Sequence, residues 1–285
     1  MGISTIAATA SPRSKTLACG QSHTAAFGTN KIHYVTLGEG SHTVVFIHGW
    51  ACNLNFWREQ APALADKARL VFIDLPGHGR SDKPNTAYTM DFLARAVVAV
   101  LRDAGVEKAA LVGHSMGAAV MCRAYSQAPE KVAALVSVDG LLCPLPGTAE
   151  EARMFIGQFC VPEYLQHARK FISDFFPHPG TEKLRDEVVA EMLVTPQYVM
   201  AGAAEGMAGP DQPDWSLQNV GVPVLVLNAR SPWWNARFQH YVQTLSSRVD
   251  CRTLDGVGHF LMLEKPAEFN ANLVEMLRKF DLLAP

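Results

Sequence analysis

Five residues, Gly113-His114-Ser115-Met116-Gly117, constrain this chain more than any other stretch. They follow the apolar run 109–112 and precede 118–125, a segment of helix-forming composition. A strand, a sharp turn and a helix are thus stacked on one serine, the context in which G-x-S-x-G marks a nucleophile elbow rather than a chance match. Such a turn forces its serine into a strained backbone conformation. The flanking glycines are needed because side chains there would collide with the neighbouring strand and helix. The serine hydroxyl is left exposed above the sheet edge, at the N-terminus of a helix whose dipole favours developing negative charge.

The strand in that motif has company. Runs 31–35, 43–47, 70–73, 134–138, 222–227 and 249–253 are short, rich in β-branched or apolar residues, and followed by turn residues. Helical patterns at 56–64, 88–103, 116–127, 235–245 and 267–280 alternate with them. Nearly continuous apolar strands alternating with helices predict an α/β fold: a mostly parallel central sheet with helices on both faces. Between 145 and 217 the alternation stops. Helical pieces rich in Phe and Met, separated by Pro and Gly, take its place. An insert at that point sits at the carboxyl end of the sheet, where ligands bind in such folds. The expected organisation is a flexible extension over 1–25, a core built from 26–144 and 219–285, and a helical cap over 145–218.

Composition excludes several classes of function. A chain of 285 residues has room for one large domain with a well-buried core. The formal net charge is −2, with no long basic or acidic run, so neither nucleic acid nor an anionic membrane is an expected partner. No apolar stretch is long enough to span a bilayer. Ser11-Pro12-Arg13-Ser14-Lys15 interrupts any continuous apolar segment of the kind an export signal needs. Six scattered cysteines, without C-x-x-C or zinc spacing, read as reduced and mostly buried thiols in a cytoplasmic protein.

Acyl transfer by serine needs the hydroxyl, a base, a group that orients the base, and donors for the oxyanion. The expected base is His259, in the glycine-rich loop Asp255-Gly256-Val257-Gly258-His259-Phe260 between the last strand and the last helix. The expected oxyanion donors are two backbone N–H groups. One is that of Met116, directly after the serine; the other is that of Trp50, in the His48-Gly49-Trp50 turn that ends the strand 43–47.

Four stretches, in this order and spacing, carry a resemblance. They are His48-Gly49-Trp50, Asp74-Leu75-Pro76-Gly77-His78-Gly79-Arg80-Ser81, the serine motif, and Gly258-His259-Phe260 with Glu264-Lys265-Pro266. The chain resembles the α/β-hydrolase superfamily, in its branch of small esterases, haloperoxidase-like enzymes and C–C bond hydrolases. In most of that superfamily the triad acid follows the strand corresponding to 222–227. Here that loop, Asn228 to Asn235, holds no carboxylate. Two readings stay open. In one, Asp139, at the end of the preceding strand, is the acid, as in some relatives. In the other, the triad is incomplete.

The resemblance implies a serine esterase acting on a small-molecule ester with no metal or organic cofactor. A C–C bond hydrolase, lactonase or perhydrolase would use the same residues, and a ligand-binding receptor on the same scaffold is the alternative of another class. Trp50, Phe155, Phe159, Trp233 and Trp234 are the candidate walls of an apolar substrate pocket.

Overall fold

A computed structural model describes residues 17, 19–144, 147–209, 212, 214–232 and 234–283. The apolar runs become the inner strands of a single sheet. These are β3 (Thr43–Ile47), β4 (Arg69–Ile73), β5 (Ala109–His114), β6 (Val132–Val138) and β7 (Val224–Ala229), flanked by β1 (Gln21–Phe27) and β2 (Asn30–Leu37) on one side and β8 (Val249–Leu254) on the other. The spatial order is β1-β2-β4-β3-β5-β6-β7-β8. Strand β2 pairs antiparallel with β1 and with β4, and every other neighbouring pair is parallel.

Burial explains the strand sequences. β5 and β7 are buried at every position, which their mostly apolar composition allows, with His114 and Asn228 the buried polar exceptions. The edge strands β1 and β8 mix exposed and buried positions and carry polar residues such as His23 and Arg252. Residues 21–25, expected in the N-terminal extension, therefore belong to the sheet. Strand β1 was not visible in the sequence because Ala25 alone among its residues is fully buried, so no apolar run marks it. The remainder of the expected extension, apart from Leu17, Cys19 and Gly20, lies outside the described residues.

Helices α1 (Met90–Asp103) and α2 (Met116–Gln127) pack on each other against the sheet. Helix α1 is capped by the Thr89 hydroxyl, which accepts from the Phe92 N–H. The segment expected as one helix over 56–64 is instead a 3₁₀ turn, Leu54–Trp57, and a single α turn, Ala61–Leu64. Pro62 lacks the N–H that a continuous helix would need there.

After β6 come α3 (Ala149–Gly157), α4 (Tyr164–Ser173), α5 (Glu182–Met192) and α6 (Gln197–Ala208), with no strand among them. Helix α3 packs on α6, and α4 on α5. This helical segment is tied to the loops above the sheet. Trp50 Nε1–H donates to the Met200 carbonyl, Thr195 Oγ1–H to the Ala51 carbonyl, and Asn53 Nδ2–H to Glu191 Oε1. The chain then returns to the sheet through β7, α7 (Ala236–Leu245), β8 and α8 (Pro266–Lys279). Among the described residues no helix is long and apolar enough to cross a membrane. Contrary to expectation, only Cys52 and Cys122 of the six cysteines are buried, while Cys19, Cys160 and Cys251 are exposed.

Candidate active site

Ser115 stands between β5 and α2 with φ 54° and ψ −121°. A non-glycine residue holds such a backbone only where its surroundings impose it, at a cost of roughly 1–3 kcal/mol. The surroundings are visible. A Cβ on Gly113 would lie 2.4 Å from the Gly117 carbonyl oxygen, and one on Gly117 would lie 2.4 Å from that of Ile47. The turn is further clamped to the end of β6, because Ser115 N–H donates to the Val138 carbonyl (3.1 Å) and Leu141 N–H to the Ser115 carbonyl (3.2 Å).

The loop after β3 crosses directly over this turn. A Cβ on Gly49 would sit 3.1 Å from Ser115 Cβ and 3.0 Å from His114 Nδ1. His48 braces the loop from beneath. Its Nδ1–H donates to the Gly49 carbonyl (2.8 Å) and its Nε2 accepts the Leu75 N–H (3.0 Å). Only one neutral tautomer satisfies both bonds, and burial pushes the His48 pKa below the usual histidine value. The adjoining Trp50 N–H and the Met116 N–H, which as a first-turn donor has no intrahelical acceptor, are thereby carried on rigid backbone beside Ser115.

At the end of β6, Asp139 adopts φ 42°, a left-handed conformation that a short polar side chain tolerates better than most. Its N–H donates to the Leu227 carbonyl (2.8 Å). Oδ2 accepts from His259 Nδ1 at 2.6 Å. Oδ1 accepts twice, from the Ala229 N–H (2.9 Å) and from the Trp234 Nε1–H (2.7 Å). The bond to Oδ2 assigns the His259 proton to Nδ1 and leaves Nε2 as the basic nitrogen.

Two hydrogen bonds to its backbone hold His259. Its N–H donates to the Phe175 carbonyl (3.1 Å) and its carbonyl accepts from His114 Nε2–H (2.9 Å). The Glu264 carboxylate spans the loop, accepting from Gly258 N–H (2.8 Å) and Phe260 N–H (3.2 Å). Burial raises the Glu264 pKa, while those two hydrogen bonds and the facing histidines pull it the other way. The His259 ring lies 4.6 Å from the ring of His114, the residue before Ser115, and 4.4 Å from the Phe175 ring. Desolvation depresses the His114 pKa well below the usual value, so His114 stays neutral.

Residues expected at the site therefore divide. Asp139 and His259 are hydrogen-bonded, and the ring of His114, the residue before Ser115 in the chain, packs on that of His259. Trp50 meets Phe159 at 4.8 Å, and Phe155 packs on Phe159 and Phe171, so three of the candidate pocket residues form one aromatic cluster. Phe159 is fully buried within it. Trp234 has its polar edge bound to Asp139 and its ring packed on Phe238. Trp233 lies outside the described residues. Phe175, His114 and Glu264 were not singled out from the sequence. For Glu264 the signal was present in the Glu264-Lys265-Pro266 stretch, but the bonding of its carboxylate to the loop holding His259 was not.

Residues 42–190, just over half of the chain, match the family model described as the alpha/beta hydrolase fold. The dihydrolipoyllysine-residue acetyltransferase component of the acetoin cleaving system of Cupriavidus necator is 28% identical over 260 residues, covering 87% of this chain and 66% of that protein. The 2-hydroxy-6-oxononadienedioate/2-hydroxy-6-oxononatrienedioate hydrolase of Paraburkholderia phymatum is 29% identical over 219 residues, covering 70% of this chain and 74% of that protein. The solved structure of a thermophilic esterase from Thermogutta terrifontis aligns with a TM-score of 0.81 at 22% identity, covering 91% of this chain and 99% of that one, a likeness of fold. The chain spans less than two thirds of the length of the first curated relatives that it matches, 66% of one and 26% of another.

Proposed function

The chain belongs to the alpha/beta hydrolase fold family, and from that premise we propose that it is a serine hydrolase that cleaves carboxylic esters through an acyl-enzyme. Ser115 Oγ attacks the ester carbonyl while His259 Nε2 takes its proton. The Trp50 and Met116 N–H groups hold the oxyanion of the tetrahedral intermediate. Asp139 keeps the His259 tautomer and stabilises the imidazolium that forms. His259 then returns the proton to the departing alkoxide, and water attacks the acyl-enzyme by the same route in reverse. The helical segment with Trp50, Phe155, Phe159 and Phe171 supplies an apolar cover, suited to an uncharged small-molecule ester.

The single observation that carries this reading is the 2.6 Å bond from His259 Nδ1–H to Asp139 Oδ2, made in the absence of any carboxylate in the 228–235 loop. A receptor that had abandoned turnover would have no need to keep an acid aimed at the histidine. The test is a fluorophosphonate probe together with p-nitrophenyl esters of increasing chain length. Wild-type protein should label within minutes and turn over at least one ester, and Ser115→Ala should do neither. Intact protein that resists labelling would favour the receptor instead.

A further inference from the structure

The 228–235 loop has lost a carboxylate but not its part in the site. Two of its residues supply the donors on Asp139 Oδ1: the Ala229 N–H at the end of β7 and the Trp234 Nε1–H. They occupy one carboxylate oxygen between them and leave the other to His259. Trp234 itself is held firmly. Its backbone N–H donates to the Ser231 carbonyl (3.2 Å), which closes a turn, and its ring lies 4.6 Å from that of Phe238. The next residue, Asn235, caps α7 by accepting from the Arg237 and Phe238 N–H groups. The indole is therefore delivered by the start of a capped helix, and its one polar atom points at the acid.

We propose that Trp234 is a positioning residue for the reaction: its indole N–H orients the Asp139 carboxylate so that Oδ2 faces His259. The assignment rests on the triad proposed above. It gives the relocated acid a physical support. An aspartate at the end of β6 reaches across to His259, and without a second anchor its carboxylate rotates about χ2 between two equivalent oxygens. Two donors on Oδ1, one from the main chain and one from Trp234, select a single orientation. This role differs from that of a pocket wall, which acts through apolar surface and needs no N–H.

The experiment is a double-mutant cycle on ester hydrolysis in the full chain. Trp234→Phe keeps an aromatic ring and removes the donor. It should lower kcat about ten-fold, the loss expected for one hydrogen bond to a charged group, with KM within about two-fold. Asp139→Asn should lower kcat about 10⁴-fold, and adding Trp234→Phe to it should change the rate no further. To separate the N–H from packing, β-(3-benzothienyl)alanine at position 234 keeps the bicyclic ring and lacks only the donor. It should reproduce the loss seen with Phe.

Three results would overturn the assignment. They are an equal effect of Trp234→Phe in both backgrounds, an effect on KM alone, and wild-type kcat with the benzothienyl side chain. A near-normal rate for Asp139→Asn marks a different failure, that of the triad reading itself.

Discussion

Strands β5 and β7 are buried along their whole length, while the helical segment over 149–208 leaves Met154, Val161, Leu165, Val194 and Tyr198 exposed. The two regions also use glycine differently. At the elbow, Gly113 in β5 and Gly117 in α2 occupy positions where a single added carbon meets backbone oxygen at 2.4 Å. In the helical segment, Gly157 and Gly180 have nothing within 4 Å, while Gly206, whose Cβ would meet the Tyr88 carbonyl oxygen, packs tightly on the core. Backbone in the first region has no slack, because strand ends, elbow and loop interlock through main-chain atoms that cannot rotate away. The second is held to the first by a few side-chain bonds, a cluster of rings and the close approach of Gly206 to the Tyr88 backbone. Under the proposed function, chemistry that depends on sub-ångström placement sits on the rigid layer, and the helical segment proposed to cover the substrate is the layer with room to vary.

The contrast can be broken at its strongest point. Gly117→Ala should destabilise the protein by about 3 kcal/mol, the upper end for overpacking, because its Cβ meets the Ile47 and His48 carbonyls rather than a flexible side chain. Urea unfolding would measure it, and a loss under about 1 kcal/mol would show the elbow to be softer than described.

A pH series sharpens the same point. Burial depresses His78 to about 3 and moves His48 and His114 below the usual histidine value. The unfolded chain binds protons at these positions below about pH 6.5, and the folded one does not. Their contribution is fully present above that pH and is lost as pH falls from about 6.5 towards the folded values. The slope is about 1.4 kcal/mol per pH unit for each histidine that stays neutral. Unfolding free energies measured between pH 7.5 and 5 should fall accordingly, and His78→Asn should make the slope shallower. A flat profile would contradict buried neutral histidines.

The smallest effect belongs to the helical segment. Gly157→Ala, in open space near the end of α3, should stabilise by about 0.5 kcal/mol through helix propensity, read as a small rise in Tm.

Much of the core was legible in the sequence for the same reason that it is rigid. Buried parallel strands need uninterrupted apolar residues, and the elbow needs small residues on both sides of its serine, so both leave local marks. Strand β1 left none, since an edge strand with polar residues such as Ser22 and His23 satisfies its backbone without an apolar run. Ser115 and His259 stood out through their glycine-rich neighbours, and Asp139 by its place after a strand. For Trp234, expected as a pocket wall, composition registers the ring and not the N–H that reaches Asp139.

By itself, the sequence determined the layered α/β architecture, the turn that strains Ser115 and the set of groups available for acyl transfer. These depend on neighbours a few positions apart, where propensity, glycine sterics and apolar periodicity act directly. Tertiary structure alone decided which of those groups meet. Asp139 and His259 are 120 positions apart, and Asp139 and Trp234 are 95 apart. Their hydrogen bonds exist only because adjacent parallel strands bring distant loops to one edge of the sheet.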